Sequence, residues 1–184
     1  MITIREATEN DAEIIARAVA MAIGDEAALR EYCGEDHLAV LTAIATARDT
    51  QYSWECALVA KVDDTTAGAI VGYDGAQLHA LREGTFAILR ENIGHTPTID
   101  DETEAGEYYL DSVGVLPEFR NLGVGKALIE ALCEKAFKEG HTTVGLIVDQ
   151  ENPHAEHLYT ALGFSRINSR TFFHHPMWHL QRKR

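Results

Sequence analysis

Cysteine, cationic residues and long apolar runs are all scarce in this sequence. Its three cysteines, Cys33, Cys56 and Cys133, are widely separated and form no C-x-x-C pair, which argues against a disulfide framework or a cysteine zinc site. No apolar run approaches the ~20 residues that a membrane span needs. The opening MITIREATENDAEII lacks the basic start and apolar middle of a secretory signal, so a cytoplasmic location is expected. Lys and Arg number 16 against 29 Asp and Glu, a formal net charge of -13. Such a charge repels nucleic-acid phosphate and anionic membrane alike, and neither is expected as a partner. The basic end QRKR reads as solvated chain, and the acidic surface favours cationic small partners or plain solubility.

What is present is material for a core. At 184 residues and 46% hydrophobic content, the chain suits one domain spanning 1–184. ITIREAT alternates as a first strand, the Thr8 to Asp11 stretch signals a helix start, and apolar residues from Ile14 to Ala22 repeat at helical spacing until Gly24. A second helix is expected over roughly Asp25 to Ala47. WECALVAKVD and TAGAIVGYDG, separated by the polar DDTT, read as a β-hairpin. The stretch 76–106 is the least regular, a helical pattern interrupted by Gly84 and followed by an acidic loop. A strand EYYLDSVGVL, a helix from about Gly123 to Glu139, a doubly buried strand TTVGLIVD, a short helix opened by Asn152 and Pro153, and one or two final strands complete the reading. No internal repeat is apparent.

The stretch SVGVLPEFRNLGVGKALIEAL, Ser112 to Leu132, places an Arg and two glycines directly ahead of a helix. A P-loop requires G-x-x-x-x-G-K-[ST], but Arg120 and Ala127 stand at the first Gly and the hydroxyl position. The dinucleotide fingerprint G-x-G-x-x-G starts at Gly123 and Gly125 and then meets Leu128. Arg120-Asn121-Leu122-Gly123-Val124-Gly125 instead fits R/Q-x-x-G-x-G/A, and NPHAEHLYTALGF further on fits N-x-x-A-x-x-L-Y-x-x-L-G-F. On these two motifs, correctly ordered and about thirty residues apart, the chain resembles the GNAT (Gcn5-related N-acetyltransferase) superfamily. The resemblance extends over nearly the whole chain outside 76–106, a variable insertion where the family often has a short connection.

The chemistry of the loop suits that resemblance. A helix start leaves four N–H groups without partners and carries roughly +0.5 of a charge, so a pyrophosphate is held there by backbone. Glycine at 123 and 125 removes Cβ atoms from the approach, and Arg120 and Lys126 add charge. The resemblance implies an α/β (α+β) GNAT fold, a mixed and mostly antiparallel sheet of six to seven strands with helices on both faces. It implies acetyl-coenzyme A as cosubstrate, without a metal, held by Val113, Val115, Arg120, Asn121, Leu122, Gly123, Val124, Gly125, Lys126, Asn152, Ala155 and Tyr159. Val113 and Val115 would offer main-chain groups, one N–H acting as an oxyanion donor.

The implied reaction is direct attack of a primary amine of a small molecule or peptide on the thioester. Tyr159 matches the family's general acid. Several family members carry a Glu at the position of Tyr109, where this chain departs, which leaves Asp111 and Glu107, of the same strand face by parity, as candidate bases beside a water chain. His174, His175 and His179 fall on the terminal strand that borders the acceptor in this fold. His154 with His157, and His175 with His179, form pairs that lack a third metal ligand. Acidic residues of 76–106, including Glu83, Glu91, Asp100, Asp101, Glu102 and Glu104, suggest an acceptor pocket that prefers cationic amines. The alternative to an enzyme is a non-catalytic acyl-coenzyme A binding or sensing module. Homodimers are common among proteins that the chain resembles.

Overall fold

The structure is a computed structural model that describes residues 1–184. Seven strands form one sheet in the order β1-β2-β3-β4-β5-β7-β6. They are β1 (Ile2–Glu6), β2 (Ala57–Val62), β3 (Thr65–Asp74), β4 (Tyr108–Val115), β5 (Thr143–Asp149), β6 (Ser165–Phe172) and β7 (His175–Lys183). The helices are α1 (Ala12–Ile23), α2 (Glu26–Cys33), α3 (His37–Thr46), α4 (Leu78–Ile93), α5 (Val124–Lys138) and α6 (Pro153–Ala161). Every neighbouring pair of strands is antiparallel except β4 and β5.

Period-two alternation in the central strands divides the core between the two faces of the sheet. Val59, Ala69 and Val71 pack with α1, α2 and α3. Leu58, Ala60 and Ile70 point the other way, onto Leu128, Ile129 and Leu132 of α5. Each of these three α5 side chains is fully buried, worth about 1.5–3 kcal/mol apiece.

At the start of α1, Asp11 accepts from the Thr8 amide and hydroxyl at 2.8 and 2.9 Å. It also accepts from both terminal nitrogens of the Arg5 guanidinium, at 2.7 and 2.8 Å. The Arg5 contact, ahead of burial acting in the opposite sense, brings the Asp11 carboxyl down to about 2.

Two expectations are corrected. The helix expected over Asp25 to Ala47 is broken into α2 and α3. Gly34, with φ 79°, turns the chain between them where a Cβ would lie 2.8 Å from Ile93 Cγ2. Conversely, Gly84 does not interrupt α4, which runs unbroken from Leu78 to Ile93. Its place in the helix allows a close approach, since a Cβ there would lie 2.1 Å from the Asp49 carbonyl oxygen. Packing against a neighbouring segment, invisible in local pattern, decides both cases.

Two irregularities matter for chemistry. The pairing of β3 with β4 slips one residue, Val71 opposing Ser112 and Gly72 opposing Leu110, so that Asp111 is the extra residue of a β-bulge. Parity then reverses along β4: Tyr108 and Leu110 before the bulge, and Val113 and Val115 after it, all meet the α5 cluster. Meanwhile β4 and β5 pair only at Tyr108–Val144 and Tyr109–Gly145, beyond which the two strands part.

Candidate active site

The parting of β4 and β5 leaves one edge of β4 without a neighbour. Leu116 donates its N–H to the Ala67 carbonyl of β3 at 2.8 Å. By strand alternation, Gly114 points the same way, while the N–H and C=O groups of Val113 and Val115 face the gap. The Arg120 guanidinium closes the mouth of that gap, its Nε donating to the Val115 carbonyl at 3.3 Å and Nη2 lying 3.7 Å from Met21 Sδ of α1.

Between the gap and α5, a short 3-10 turn over Pro117–Phe119 leads into the glycine loop. Asn121 has φ 62° and Gly123 φ 84°. This pair of left-handed residues turns the successive amides toward one side, and α5 begins at Val124 with no side chain capping it. Its first intrahelical bond comes from Ala127 N–H to the Gly123 carbonyl, 3.0 Å. None of the N–H groups from Asn121 to Lys126 donates to a backbone acceptor, which leaves a concentrated row of donors at the positive end of the helix dipole.

The two glycines serve different ends. Gly123 is required by its backbone angle. At Gly125 a Cβ would meet only Val115 Cγ2, at an ordinary 3.6 Å, so the protein itself does not demand glycine there. Leu122 is 54% exposed, and Lys126 is also exposed.

On the α5 side of the gap, Ala155 and Tyr159 of α6 border the same apolar cluster as Val113 and Val115. Asn152 caps α6, its side chain accepting from the Ala155 N–H at 3.1 Å. The Tyr159 ring packs edge-on against Phe164, centroids 5.9 Å apart. Burial, with no hydrogen bond to offset it, pushes its hydroxyl up to about 12, so the phenol keeps its proton at neutral pH.

The opposite side of the gap holds a network of polar side chains. Asp111 accepts from the Tyr73 hydroxyl and from the Ser112 hydroxyl, both at 2.8 Å. The Tyr73 oxygen in turn lies 3.2 Å from Gln51 Nε2, which also donates to Glu102 Oε1 at 3.1 Å. Arg82 pairs with Glu102 Oε2 and, at 2.8 Å, with Asp101. Burial, outweighing these donors, raises Asp111 to about 6. Burial together with the Asp111 charge, opposed by Arg82, raises Glu102 to about 7.

Tyr109 lies edge-on to Tyr73, 5.7 Å between centroids, on the Asp111 side as expected from parity. The tip of the β6–β7 hairpin reaches toward this side of the sheet, where Phe173 meets the Tyr32 ring of α2 at 5.9 Å.

Glu107 lies on that same face but is already engaged. It accepts from Thr103 Oγ1 at 2.7 Å and Gln181 Nε2 at 2.7 Å, and its Oε2 is 2.8 Å from His179 Nε2. Burial would raise this carboxyl; the three partners outweigh it and the net shift is downward. Glu107, a candidate base in the sequence, thus sits in a clamp that fastens the start of β4 to β7 across Gly145, which has no Cβ to obstruct it.

His179, at 2% exposure, is taken up in the same clamp, while His175 Nδ1 lies 3.5 Å from Asp149. No group of three or more His, Cys, Asp or Glu could hold a metal ion. The acidic residues of 76–106 are largely paired. Asp101 and Glu102 pair with Arg82, Glu104 with Arg170 and Glu83 with Arg90, so four of the six named acids already have cationic partners.

Sequence reasoning missed Gln51, Tyr73 and Arg82 altogether and read Glu102 only as one charge in a run. The only local signal available was the β-bulge, which a strand pattern does not locate.

Comparison with known proteins gives these features a context. Residues 20–164 match the Acetyltransferase (GNAT) family. A mycothiol acetyltransferase of Renibacterium salmoninarum is 30% identical over 143 residues, 78% of this chain and 35% of that protein. The chain thus spans about a third of the length of this curated relative. A solved structure described as an acetyltransferase is 30% identical, with a TM-score of 0.82 and 98% of each chain covered. An N-acetyltransferase from Staphylococcus aureus Mu50, 23% identical, shares the fold with a TM-score of 0.83 over 97% of this chain and 99% of that one.

Proposed function

The chain belongs to the acetyltransferase (GNAT) family, and from that premise we propose that it moves the acetyl group of acetyl-coenzyme A to a primary amine of a small molecule or peptide. The observation that carries the reading is the row of unpartnered N–H groups from Asn121 to Lys126 beside a strand edge that lacks its neighbour. Such a row suits a diphosphate, and a glycine that the protein does not itself need, Gly125, leaves room for one. When bound, acetyl-coenzyme A supplies the activated acyl group.

In this reading the amides of the α5 loop hold the diphosphate, with Lys126 adding charge. The gap-facing groups of Val113 and Val115 align the thioester, one N–H donating where negative charge develops on the carbonyl oxygen. Such a donor is typically worth ~3 kcal/mol.

Tyr159 donates a hydrogen bond to the departing sulfur. Its hydroxyl, at about 12, is a weaker acid than a thiol near ~8.5, so it stabilises the thiolate more than it protonates it. Asp111 receives the proton that the amine nitrogen sheds as the new bond to carbon makes that nitrogen strongly acidic. A carboxyl at about 6 remains a carboxylate at neutral pH and is a better base than an ordinary Asp. A water between amine and carboxylate is compatible with this role.

The test is a melting-temperature shift with coenzyme A, followed by thiol release from acetyl-coenzyme A across a panel of amines, amino acids and peptide N-termini, including the acceptor of a mycothiol acetyltransferase. A native-state ligand must raise the melting temperature. A shift without turnover on any amine would move the reading to an acyl-coenzyme A binding module. No shift at all would overturn both.

A further inference from the structure

We propose that Glu102, acting through Gln51 and Tyr73, is a positioning residue that fixes the orientation and proton affinity of Asp111. The inference rests on the acetyl-transfer reading for its purpose, though not for its geometry.

The chain of contacts has a direction. In its carboxylate form Glu102 offers only acceptors and takes an N–H of the Gln51 amide. The same amide nitrogen lies against the Tyr73 oxygen. With its oxygen accepting there, Tyr73 turns its own proton onto Asp111, at 2.8 Å. Reversing the Gln51 amide would set its oxygen against the Glu102 carboxylate. The orientation adopted leaves Gln51 Oε1 buried without a partner, a cost that a purely structural contact has no reason to carry. Glu102 itself is 4% exposed, and Arg82 holds it from the far side.

The remaining ionisable groups around Asp111 do not compete. Tyr32 of α2, Tyr52 and Cys56 beyond α3, Tyr73 of β3 and Tyr109 of β4 all lie within its field, and burial pushes each of them upward, so they stay neutral. Arg82 and Glu102 therefore remain as the charged neighbours: Arg82 favours the Asp111 carboxylate, and the Asp111 charge in turn raises Glu102.

This makes two substitutions act in opposite directions. Glu102→Gln removes the second carboxyl of the pair, so the Asp111 titration should move to lower pH, by less than one unit because Glu102, at about 7, is still largely protonated as Asp111 ionises. Tyr73→Phe removes a donor to the carboxylate, so Asp111 should ionise at a higher pH by a similar amount. Glu102→Asp keeps the charge and should restore most of the wild-type value.

The experiment is a carboxyl-carbon NMR titration of the full chain, with the Asp111 resonance assigned by its loss in Asp111→Asn. A melting curve on each variant establishes that it is folded. If Glu102→Gln fails to fold for want of a partner for Arg82, Tyr73→Phe, which removes a single oxygen, still reads the link from its other end. Opposite shifts, or an upward shift in Tyr73→Phe alone where the other variant does not fold, support the proposal. Unchanged midpoints, or shifts of the same sign, overturn it.

The acid limb of kcat/KM for the best amine of the panel should move with the NMR midpoints. If the midpoints move while Asp111→Asn turns over normally, the positioning claim stands and the role of Asp111 as base falls.

Discussion

The two sides of the β4–β5 gap are built on different principles. On the α5 side the groups offered to a ligand are main-chain amides, presented by two left-handed residues and a helix start within six consecutive positions. On the other side the working groups are side chains drawn from the loop after α3, from β3, α4 and the stretch before β4, and they converge on one bulged residue of β4. A backbone site tolerates change in side chains and fails when backbone access is lost. A side-chain network fails when one atom is removed. Substitutions on the two sides should therefore differ in kind as well as size.

The largest expected effect falls on the network. Asp111→Asn removes the proton acceptor and should lower kcat at neutral pH by roughly 10²-fold or more, with the melting shift caused by coenzyme A retained. Full activity in this variant would hand the proton to a water chain. Next comes the loop, where two neighbouring glycines separate binding from folding. Gly125→Ala should leave stability unchanged or raise it by about 0.5–1 kcal/mol, as is usual for glycine in a helix, yet raise the acetyl-coenzyme A KM about tenfold. Gly123→Ala forces a Cβ onto φ 84° and should cost about 1 kcal/mol of stability. Equal cofactor affinity in Gly125→Ala and wild type would mean that the loop is not the anion site. A smaller effect belongs to Tyr159→Phe. Because its phenol is too weak an acid to protonate a thiolate outright, the loss in kcat should be about tenfold with cofactor affinity intact.

The same contrast explains how much could be read in advance. The glycine loop, the α6 segment with Asn152 and Tyr159, and the order of strands are local patterns, and local sequence determines them. Gly34 and Gly84 resisted because each answers to a distant segment, Ile93 in one case and Asp49 in the other. Glu107 and Asp111 share a strand face and a charge, so parity alone treats them as equals. What separates them is that Glu107 meets three donors from β7 and Thr103, while Asp111 sits on a bulge facing Tyr73. Those partners lie 38 to 74 positions away for all but Thr103, beyond any periodicity. The pairing of the acids of 76–106 was equally hidden, since Arg82 lies 19 and 20 positions from Asp101 and Glu102, and Arg170 lies 66 from Glu104.

The mildest test of the comparison uses stability alone. Ordinary Asp and Glu side chains ionise near ~4 when the chain is unfolded, whereas in the native protein Asp111 and Glu102 do so at about 6 and about 7. The native state therefore holds more protons than the unfolded state between pH ~4 and ~7, and stability falls as pH rises through that window. Asp11 and Glu107 shift the other way, so the stability they add is lost only in more acidic solution, outside pH 5–8. From pH 5 to pH 8 the two raised carboxyls should together cost on the order of 1–2 kcal/mol after allowing for their partners, seen as a falling melting temperature at constant ionic strength. Asp111→Asn should flatten that fall, and Glu102→Gln should do the same. Gly125→Ala, on the other side of the gap, should move the curve without changing its slope. Parallel curves for all four proteins would remove the strained carboxylate pair from the account and leave the backbone site standing alone.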